Sequence, residues 1–326
     1  MRTQLPTFVM LLAASSAMLA GGAGRDRIER GVGEAEDGVG ANAEDGVKDG
    51  VKNGAQVGKA KLKSRELVRE FNRVYCQRGE KKLTADVYRP HGDGPFPAIV
   101  MIHGGAWMSG SKWNVIEHAN LAARRGFVVV AINYRLAPKH TFPAQIDDCR
   151  AAVRWMRKES DELRIDPKRI AAYGYSAGGH LACLLALSAS HPKSEDSLVD
   201  TRVTAVVAGG APCDFRQLGL DDSKLAYFLG GTRREQPESY RLASASTFAS
   251  AAAPPVHFFH GSRDGLVPIV GSRRLHDQLK TIGASVSYDE VKGKGHLATF
   301  FDRDAASRAI GFLDEHLQPE KAAPAK

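Results

Sequence analysis

The stretch that most constrains the fold of this chain is Gly-Tyr-Ser-Ala-Gly at residues 174–178. An apolar run over 170–173 leads into it, and a small-residue helical pattern over 177–189 follows. Ser176 therefore falls on a turn between a strand and a helix. Because so sharp a turn brings the two backbones together, both glycines stand where a side chain would clash. The Gly-x-Ser-x-Gly pattern also arises by chance in glycine-rich chains, but the flanking strand and helix favour a functional turn.

Strands and helices alternate through most of the chain. Two alternating stretches, 69–77 and 83–88, flank a polar turn and predict an antiparallel hairpin. Continuous apolar runs typical of strands buried on both faces then alternate with helical patterns. The predicted strands are 98–102, 127–132, 170–173, 203–208, 256–260 and 286–290, and the predicted helices are 115–125, 144–158, 177–189, 272–282 and 300–316. This order predicts an α/β fold, in which a mostly parallel central sheet has antiparallel N-terminal edge strands and helices on both faces.

The N-terminal part differs in composition from the rest. Residues 1–23 carry an early arginine, an apolar stretch and a small-residue end, which is typical of a secretory signal peptide. The apolar stretch is too short for a stable membrane span, so the expected location is secreted or periplasmic. Residues 24–65 repeat Asp-Gly-Val without aromatics and predict a flexible linker.

The folded domain is then expected over residues 66–318, with a tail over 319–326. Within it, residues 213–253 are too long for an ordinary crossover between a strand and a helix. They predict either a small cap over the strand ends or a surface insertion.

Charge and cysteine content exclude several function classes. The chain of 326 residues has 45 Lys and Arg against 37 Asp and Glu, a net charge of +8, but no basic run or zinc pattern accompanies it. We therefore expect no nucleic-acid partner. The cysteines, Cys76, Cys149, Cys183 and Cys213, lack metal-ligand spacing, so no metal site is expected. Their pairing stays open.

A serine hydroxyl needs a base to remove its proton before it can act as a nucleophile. Asp264 follows the predicted strand 256–260, and His296 follows the strand 286–290. Because parallel strands end at a common edge of the sheet, Ser176, Asp264 and His296 are expected to meet there as nucleophile, orienting acid and base. His257 and His260 are the nearest rivals of His296, but both belong to a strand pattern.

Acyl transfer also needs hydrogen-bond donors for the developing oxyanion. The strand 98–102 runs directly into His-Gly-Gly-Ala-Trp at residues 103–107. A glycine-rich loop in this place supplies backbone N–H groups beside that of the residue after the nucleophile. The predicted oxyanion hole comprises Gly104, Gly105, Ala106 and Ala177. Trp107 either lines the pocket or packs in the core.

Together these motifs resemble the α/β-hydrolase superfamily, and more narrowly the small serine esterases related to hormone-sensitive lipase and the BD-FAE group. The resemblance covers roughly residues 66–317 and includes Ser-Gly-Ser-Lys at 109–112 and Asn-Tyr-Arg-Leu-Ala-Pro at 133–138. The latter loop is typical of the group, which implies a structural role. Ala106 departs from the pattern, since many such lipases have a third glycine there.

The resemblance implies a serine carboxylic-ester hydrolase with no cofactor, and the predicted signal peptide implies that it is secreted. Its substrate would be a small-molecule or polysaccharide-linked ester, with acetyl and feruloyl esters among the candidates. Because residues 213–253 carry few large apolar side chains, short acyl groups are expected. An arylformamidase, a peptidase and a catalytically silent binding protein on the same fold remain alternatives. The oligomeric state stays open.

Overall fold

The computed structural model describes residues 66–190 and 201–318. The predicted signal peptide, linker and tail lie outside these residues. No helix within the two described ranges is long and apolar enough to cross a bilayer.

A single mixed sheet organises the described residues. Its strands are β1 (Leu67–Arg78), β2 (Lys81–Pro90), β3 (Phe96–Ile102), β4 (Val128–Ile132), β5 (Ile165–Tyr175), β6 (Val206–Gly209), β7 (Val256–Gly261) and β8 (Val286–Val291). Their spatial order is β1-β2-β4-β3-β5-β6-β7-β8. Only the β1–β2 and β2–β4 pairs are antiparallel. The predicted α/β fold with antiparallel N-terminal edge strands is confirmed.

Helices cover both faces of the sheet. They are α1 (Ile116–Arg124), α2 (Ala144–Lys158), α3 (Ser160–Leu163), α4 (Ala177–Ser190), α5 (Ala226–Leu229), α6 (Pro237–Ala243), α7 (Val270–Thr281), α8 (His296–Phe300) and α9 (Arg303–Leu317), with 3₁₀ turns at Lys112–Val115 and Ala245–Phe248. The prediction of a single helix over 300–316 is wrong in one respect, because the helix is interrupted at Asp302. The Asp302 carboxylate accepts hydrogen bonds from the N–H groups of Asp304 and Ala305 at 2.9 and 3.0 Å and so starts a new helix.

The core explains why the central strands are apolar without interruption. On β3, Val100 and Ile102 face the layer that contains α2 and α4, while Ile99 and Met101 face α1 and α9. All four side chains are fully buried. A strand covered on both faces has no solvent side, so the polar alternation of an exposed strand is absent.

We refer to residues 213–253, for which the sequence predicts a small cap or a surface insertion, as the cap. Two short helices, α5 and α6, lie in this segment. Phe228 of α5 and Tyr240 of α6 are fully buried and belong to the same hydrophobic core as α2 and α4. The cap is therefore packed onto the main domain through its own aromatic side chains.

Candidate active site

Ser176 stands on the predicted turn between β5 and α4. Its φ is +57°, in the left-handed region that is strained for a serine. Its N–H donates to the Gly209 carbonyl at 2.8 Å, which holds the turn against β6. A Cβ at Gly174 would collide with the carbonyl of Gly178, and one at Gly178 with the carbonyl of Ile102. The two glycines thus permit the close approach that the sequence predicts.

Asp264 lies on the loop after β7, with its carboxylate buried. Its Oδ1 accepts the N–H groups of Leu266 and Val267 at 3.0 and 2.8 Å, and its Oδ2 accepts Nδ1 of His296 at 2.6 Å. Burial raises the pKa of the Asp264 carboxyl, but hydrogen bonds from His260, His296 and the backbone lower it by more, so that this pKa lies well below its usual range. Asp264 is therefore held as an anion beside the imidazole.

His296 begins α8 and is brought to the serine turn by Tyr175. The Tyr175 hydroxyl donates to the His296 carbonyl at 2.6 Å, and the two rings lie 5.0 Å apart. Because an ionised carboxylate only accepts hydrogen bonds, Nδ1 of His296 carries the proton shared with Asp264. Its other nitrogen, Nε2, is buried and has no hydrogen-bond partner among the described residues. The structure thus bonds His296 to Asp264 and holds it against Tyr175, the residue before Ser176, while Nε2 of His296 stays without a partner among the described residues.

The predicted oxyanion loop lies directly against the nucleophile turn. A Cβ at Gly104 would lie 2.9 Å from the Tyr175 carbonyl oxygen and 3.2 Å from Cβ of Ser176. Within the described residues, the backbone N–H groups of Gly105, Ala106 and Ala177 donate to no acceptor. Free N–H donors next to a nucleophile are what a developing oxyanion requires.

Ala106 occupies the position of the missing third glycine. Its φ is +50° and that of Trp107 is +58°, so two non-glycine residues in succession adopt the left-handed conformation. The carbonyl of Ala106 accepts a hydrogen bond of 2.9 Å from the Tyr227 hydroxyl, and the Ala137 N–H donates to the Trp107 carbonyl at 2.9 Å. Contacts with the cap and with the loop before α2 hold this conformation.

Trp107 packs in the interior rather than standing free in a pocket. Its ring stacks on that of Phe228 with centroids 4.2 Å apart, and only 5% of the residue is exposed. Its Nε1–H donates to Nδ1 of His180 at 3.1 Å, and Nε2 of His180 donates to the Ala243 carbonyl at 2.7 Å. Burial lowers the pKa of His180 to about 4, so the ring stays neutral and able to accept.

The loop at 133–138 supports the oxyanion loop from the other side. Tyr134 stacks on the His103 ring at 4.3 Å, and its hydroxyl donates to the His103 carbonyl at 3.1 Å. Arg135 donates two hydrogen bonds to the buried Asp148 of α2, from Nε to Oδ2 at 2.9 Å and from Nη2 to Oδ1 at 2.8 Å. These contacts fit the structural role that the resemblance implies.

Sequence reasoning missed the partners of Lys112, which is 1% exposed. Its Nζ lies 2.5 Å from Oδ1 of Asp86 and 2.8 Å from Oδ1 of Asn72. This buried pair ties the segment after the oxyanion loop to β1 and β2. No spacing signal marks it, because Asp86 lies 26 positions earlier, on β2.

Sequence reasoning also missed a second histidine on Asp264. Nε2 of His260 lies 3.1 Å from Oδ2 of Asp264. The available signal was the four-residue spacing between His260 at the end of β7 and Asp264 on the following loop. Among residues 66–190 and 201–318, no group of three or more His, Cys, Asp or Glu side chains is arranged to hold a metal ion.

Comparison with known proteins places this site in a family. Residues 85–279 match the family model described as BD-FAE. The chain belongs to the BD-FAE family. The match spans the oxyanion loop, Ser176 and Asp264, and ends before His296.

Relatives of this BD-FAE chain include two mycobacterial proteins. Esterase LipC of Mycobacterium tuberculosis is 35% identical over 62% of this chain and 53% of its own length. Probable carboxylic ester hydrolase LipM of the same organism is 36% identical over 66% of this chain and 52% of its own length. The chain thus spans about half the length of each relative.

Solved structures share the fold over most of their own length. A truncated carbohydrate esterase from gut microbiota has a TM-score of 0.70 at 25% identity, covering 78% of this chain and 98% of that one. A butyrate-bound thermophilic esterase of Thermogutta terrifontis has a TM-score of 0.64 at 25% identity, covering 82% of this chain and 98% of that one. The BD-FAE chain therefore has the α/β-hydrolase fold.

Proposed function

We propose that this BD-FAE protein is a serine hydrolase that cleaves carboxylic esters through an acyl-enzyme on Ser176. The observation that carries the proposal is the state of His296. Its Nδ1 is bound to Asp264 at 2.6 Å, while its Nε2 is buried without a partner among the described residues, beside the strained serine turn. In this arrangement the Nε2 lone pair of His296 can accept the proton of the serine hydroxyl.

In the first half of the reaction, Oγ of Ser176 attacks the ester carbonyl carbon while Nε2 of His296 takes the hydroxyl proton. The tetrahedral oxyanion is bound by the N–H of Ala177 together with that of Gly105 or Ala106. The intermediate collapses and breaks the bond to the alkoxide, which leaves as an alcohol with the proton held by His296. Asp264 stabilises the imidazolium between these two transfers.

In the second half, water attacks the acyl carbon of the acyl-enzyme and gives one proton to His296. Collapse of this second intermediate releases the carboxylic acid and returns the proton to Oγ of Ser176. The cycle consumes one ester and one water and regenerates the free enzyme.

We further propose that the substrates are esters with short acyl groups. They include polysaccharide-linked esters, which the protein would meet after export directed by its signal peptide. Two arguments support this. The Trp107 ring stacks on Phe228 of the cap with centroids 4.2 Å apart, and Phe228 is fully buried, so these side chains bring the cap directly onto the oxyanion loop. A long acyl chain gains about 0.8 kcal/mol for each buried CH₂ only where an apolar trench receives it. The neighbouring folds include a carbohydrate esterase and a butyrate-bound esterase.

The proposal is tested with the purified protein and its Ser176→Ala variant. Wild type should react with a fluorophosphonate probe and hydrolyse p-nitrophenyl esters, whereas the variant should not be labelled and should lose most of the hydrolysis. Removing a member of such a triad leaves only residual catalysis, on the order of 10³–10⁴ over water. Matching melting temperatures would show that the variant is folded. Unchanged hydrolysis by the variant would refute the assignment of Ser176.

Substrate class is tested with esters of two to ten acyl carbons, each below its micelle concentration. The kcat/KM value should peak at acetyl to butyryl and fall beyond about six carbons. Acetylated xylan, methyl ferulate and N-formylkynurenine are assayed alongside. A rate that rises through decanoyl refutes the short-acyl proposal, and preference for N-formylkynurenine favours an arylformamidase.

A further inference from the structure

The mechanism above leaves one buried histidine beside the reacting groups unused. His260 is fully buried at the end of β7, and its ring lies next to the loop that carries Asp264. Its Nε2 is 2.9 Å from the Val267 carbonyl oxygen and 3.1 Å from Oδ2 of Asp264. Both oxygens only accept hydrogen bonds, so Nε2 of His260 carries a proton, which it donates to the Val267 carbonyl while lying close to Oδ2 of Asp264.

The other side of the His260 ring is fixed independently of Asp264. Nδ1 of His260 lies 2.9 Å from Oγ of Ser272 on α7. The same Oγ lies 3.0 Å from the Ile269 carbonyl and 2.8 Å from the Tyr288 hydroxyl on β8. A ring held on both edges presents its N–H to Asp264 at a set position.

The Asp264 oxygen that His260 approaches is the one that His296 binds. Nδ1 of His296 lies 2.6 Å from this Oδ2, so two imidazole N–H groups converge on a single carboxylate oxygen. A polarised N–H group this close to a carboxylate oxygen stabilises its negative charge. His260 therefore weakens Asp264 as the acceptor that stabilises the protonated form of His296.

We infer that His260 is a positioning residue that acts through Asp264 on His296. It orients the carboxylate and keeps His296 less basic, so that Nε2 of His296 stays unprotonated to lower pH. The inference rests on the proposed ester hydrolysis, in which only neutral His296 takes the serine proton. The other titratable groups nearby are Tyr288 and Glu290 on β8, Arg273 on α7, which pairs with Glu290, Cys213 on the loop after β6, and Tyr175 on β5.

The test compares kcat/KM from pH 5 to 8.5 for wild type, His260→Leu, His260→Gln and His257→Leu. Leucine removes the donor to Asp264, whereas a glutamine amide reaches about as far as Nε2 of histidine. His257→Leu is the matched control, since it removes another buried histidine of β7 whose Nδ1 lies 2.8 Å from Oγ of Ser287. The acid limb is the part of the pH profile in which kcat/KM falls as the pH is lowered. For His260→Leu we expect this limb to move to higher pH by about half to one unit, with a three- to tenfold loss of kcat/KM on it and a KM within twofold of wild type. The acid limbs of His260→Gln and His257→Leu should coincide with that of wild type.

A His260→Leu limb that coincides with wild type in a folded protein overturns the inference, because a purely structural residue would lower the melting temperature and leave the limb in place. If His260→Leu does not fold, His260→Asn replaces it, since the shorter amide cannot reach Asp264. Coincident limbs of His260→Asn and His260→Gln then overturn the inference. Failure of the proposed function is recognised separately: Ser176→Ala would retain the wild-type rate.

Discussion

Four buried histidines should make this protein lose stability in mild acid. His103, His118, His180 and His257 are each less than a tenth exposed, and burial lowers the pKa of each from 6.5 to about 4. They are therefore neutral in the folded state at pH values where the unfolded chain has already protonated them. The unfolded state binds more protons across this window, so the free energy of unfolding falls as pH falls from about 6.5 towards 4.

The size of the effect follows from the two pKa values. With 6.5 unfolded and about 4 folded, each histidine contributes a loss of about 2 kcal/mol between pH 7 and pH 5. Four together give about 7 kcal/mol, which is comparable with the whole stability of an ordinary domain, about 5–15 kcal/mol. Carboxylates contribute little here because their unfolded pKa values lie near 4.

The assay is urea unfolding followed by tryptophan fluorescence at pH 5, 6 and 7. His257→Leu is the informative variant, because Nε2 of His257 is buried without a partner among the described residues and its ring stacks on Phe312 at 5.2 Å, away from the proposed site. The loss between pH 7 and 5 should be smaller by about 2 kcal/mol in this variant. A free energy of unfolding that is constant from pH 7 to 5, or an identical pH dependence in His257→Leu, would refute the reasoning.

Two further predictions concern the turn and the loop at the site. Gly178→Ala should cost several kcal/mol or prevent folding, since the new methyl would meet the Ile102 carbonyl; a melting temperature within 2 °C of wild type, about 1 kcal/mol, would contradict this. Tyr227→Phe removes the 2.9 Å hydrogen bond to the Ala106 carbonyl and should lower kcat about tenfold with little change in KM, because an oxyanion donor acts in the transition state. Leu225→Ala serves as its control on the same cap, and equal kcat values for wild type and Tyr227→Phe would argue against Ala106 as a donor.

The amino-acid sequence determined the frame of this protein. Hydrophobic periodicity and the Gly-x-Ser-x-Gly turn were sufficient for the order of the strands and the longer helices, since both depend on neighbouring residues. The pairing of Asp264 with His296 near the turn that carries Ser176 was also predictable, because the carboxyl ends of parallel strands share one edge. The break at Asp302 was not predicted, although an Asp that caps the following helix was the available signal.

Only the tertiary structure decided how the site is held. The Tyr227 bond to Ala106, the Trp107 bond to His180 and the burial of Lys112 against Asp86 join residues that lie 26 to 121 positions apart. The approach of His260 to Asp264 spans only four positions, but its direction depends on α7 and β8, which fix the other edge of the ring. Such contacts arise from packing between helices, strands and loops. Packing of this kind produces no periodic pattern in the amino-acid sequence, so the contacts cannot be predicted from it. The sequence therefore identifies the groups that could react, while the packing around them sets their protonation and their orientation.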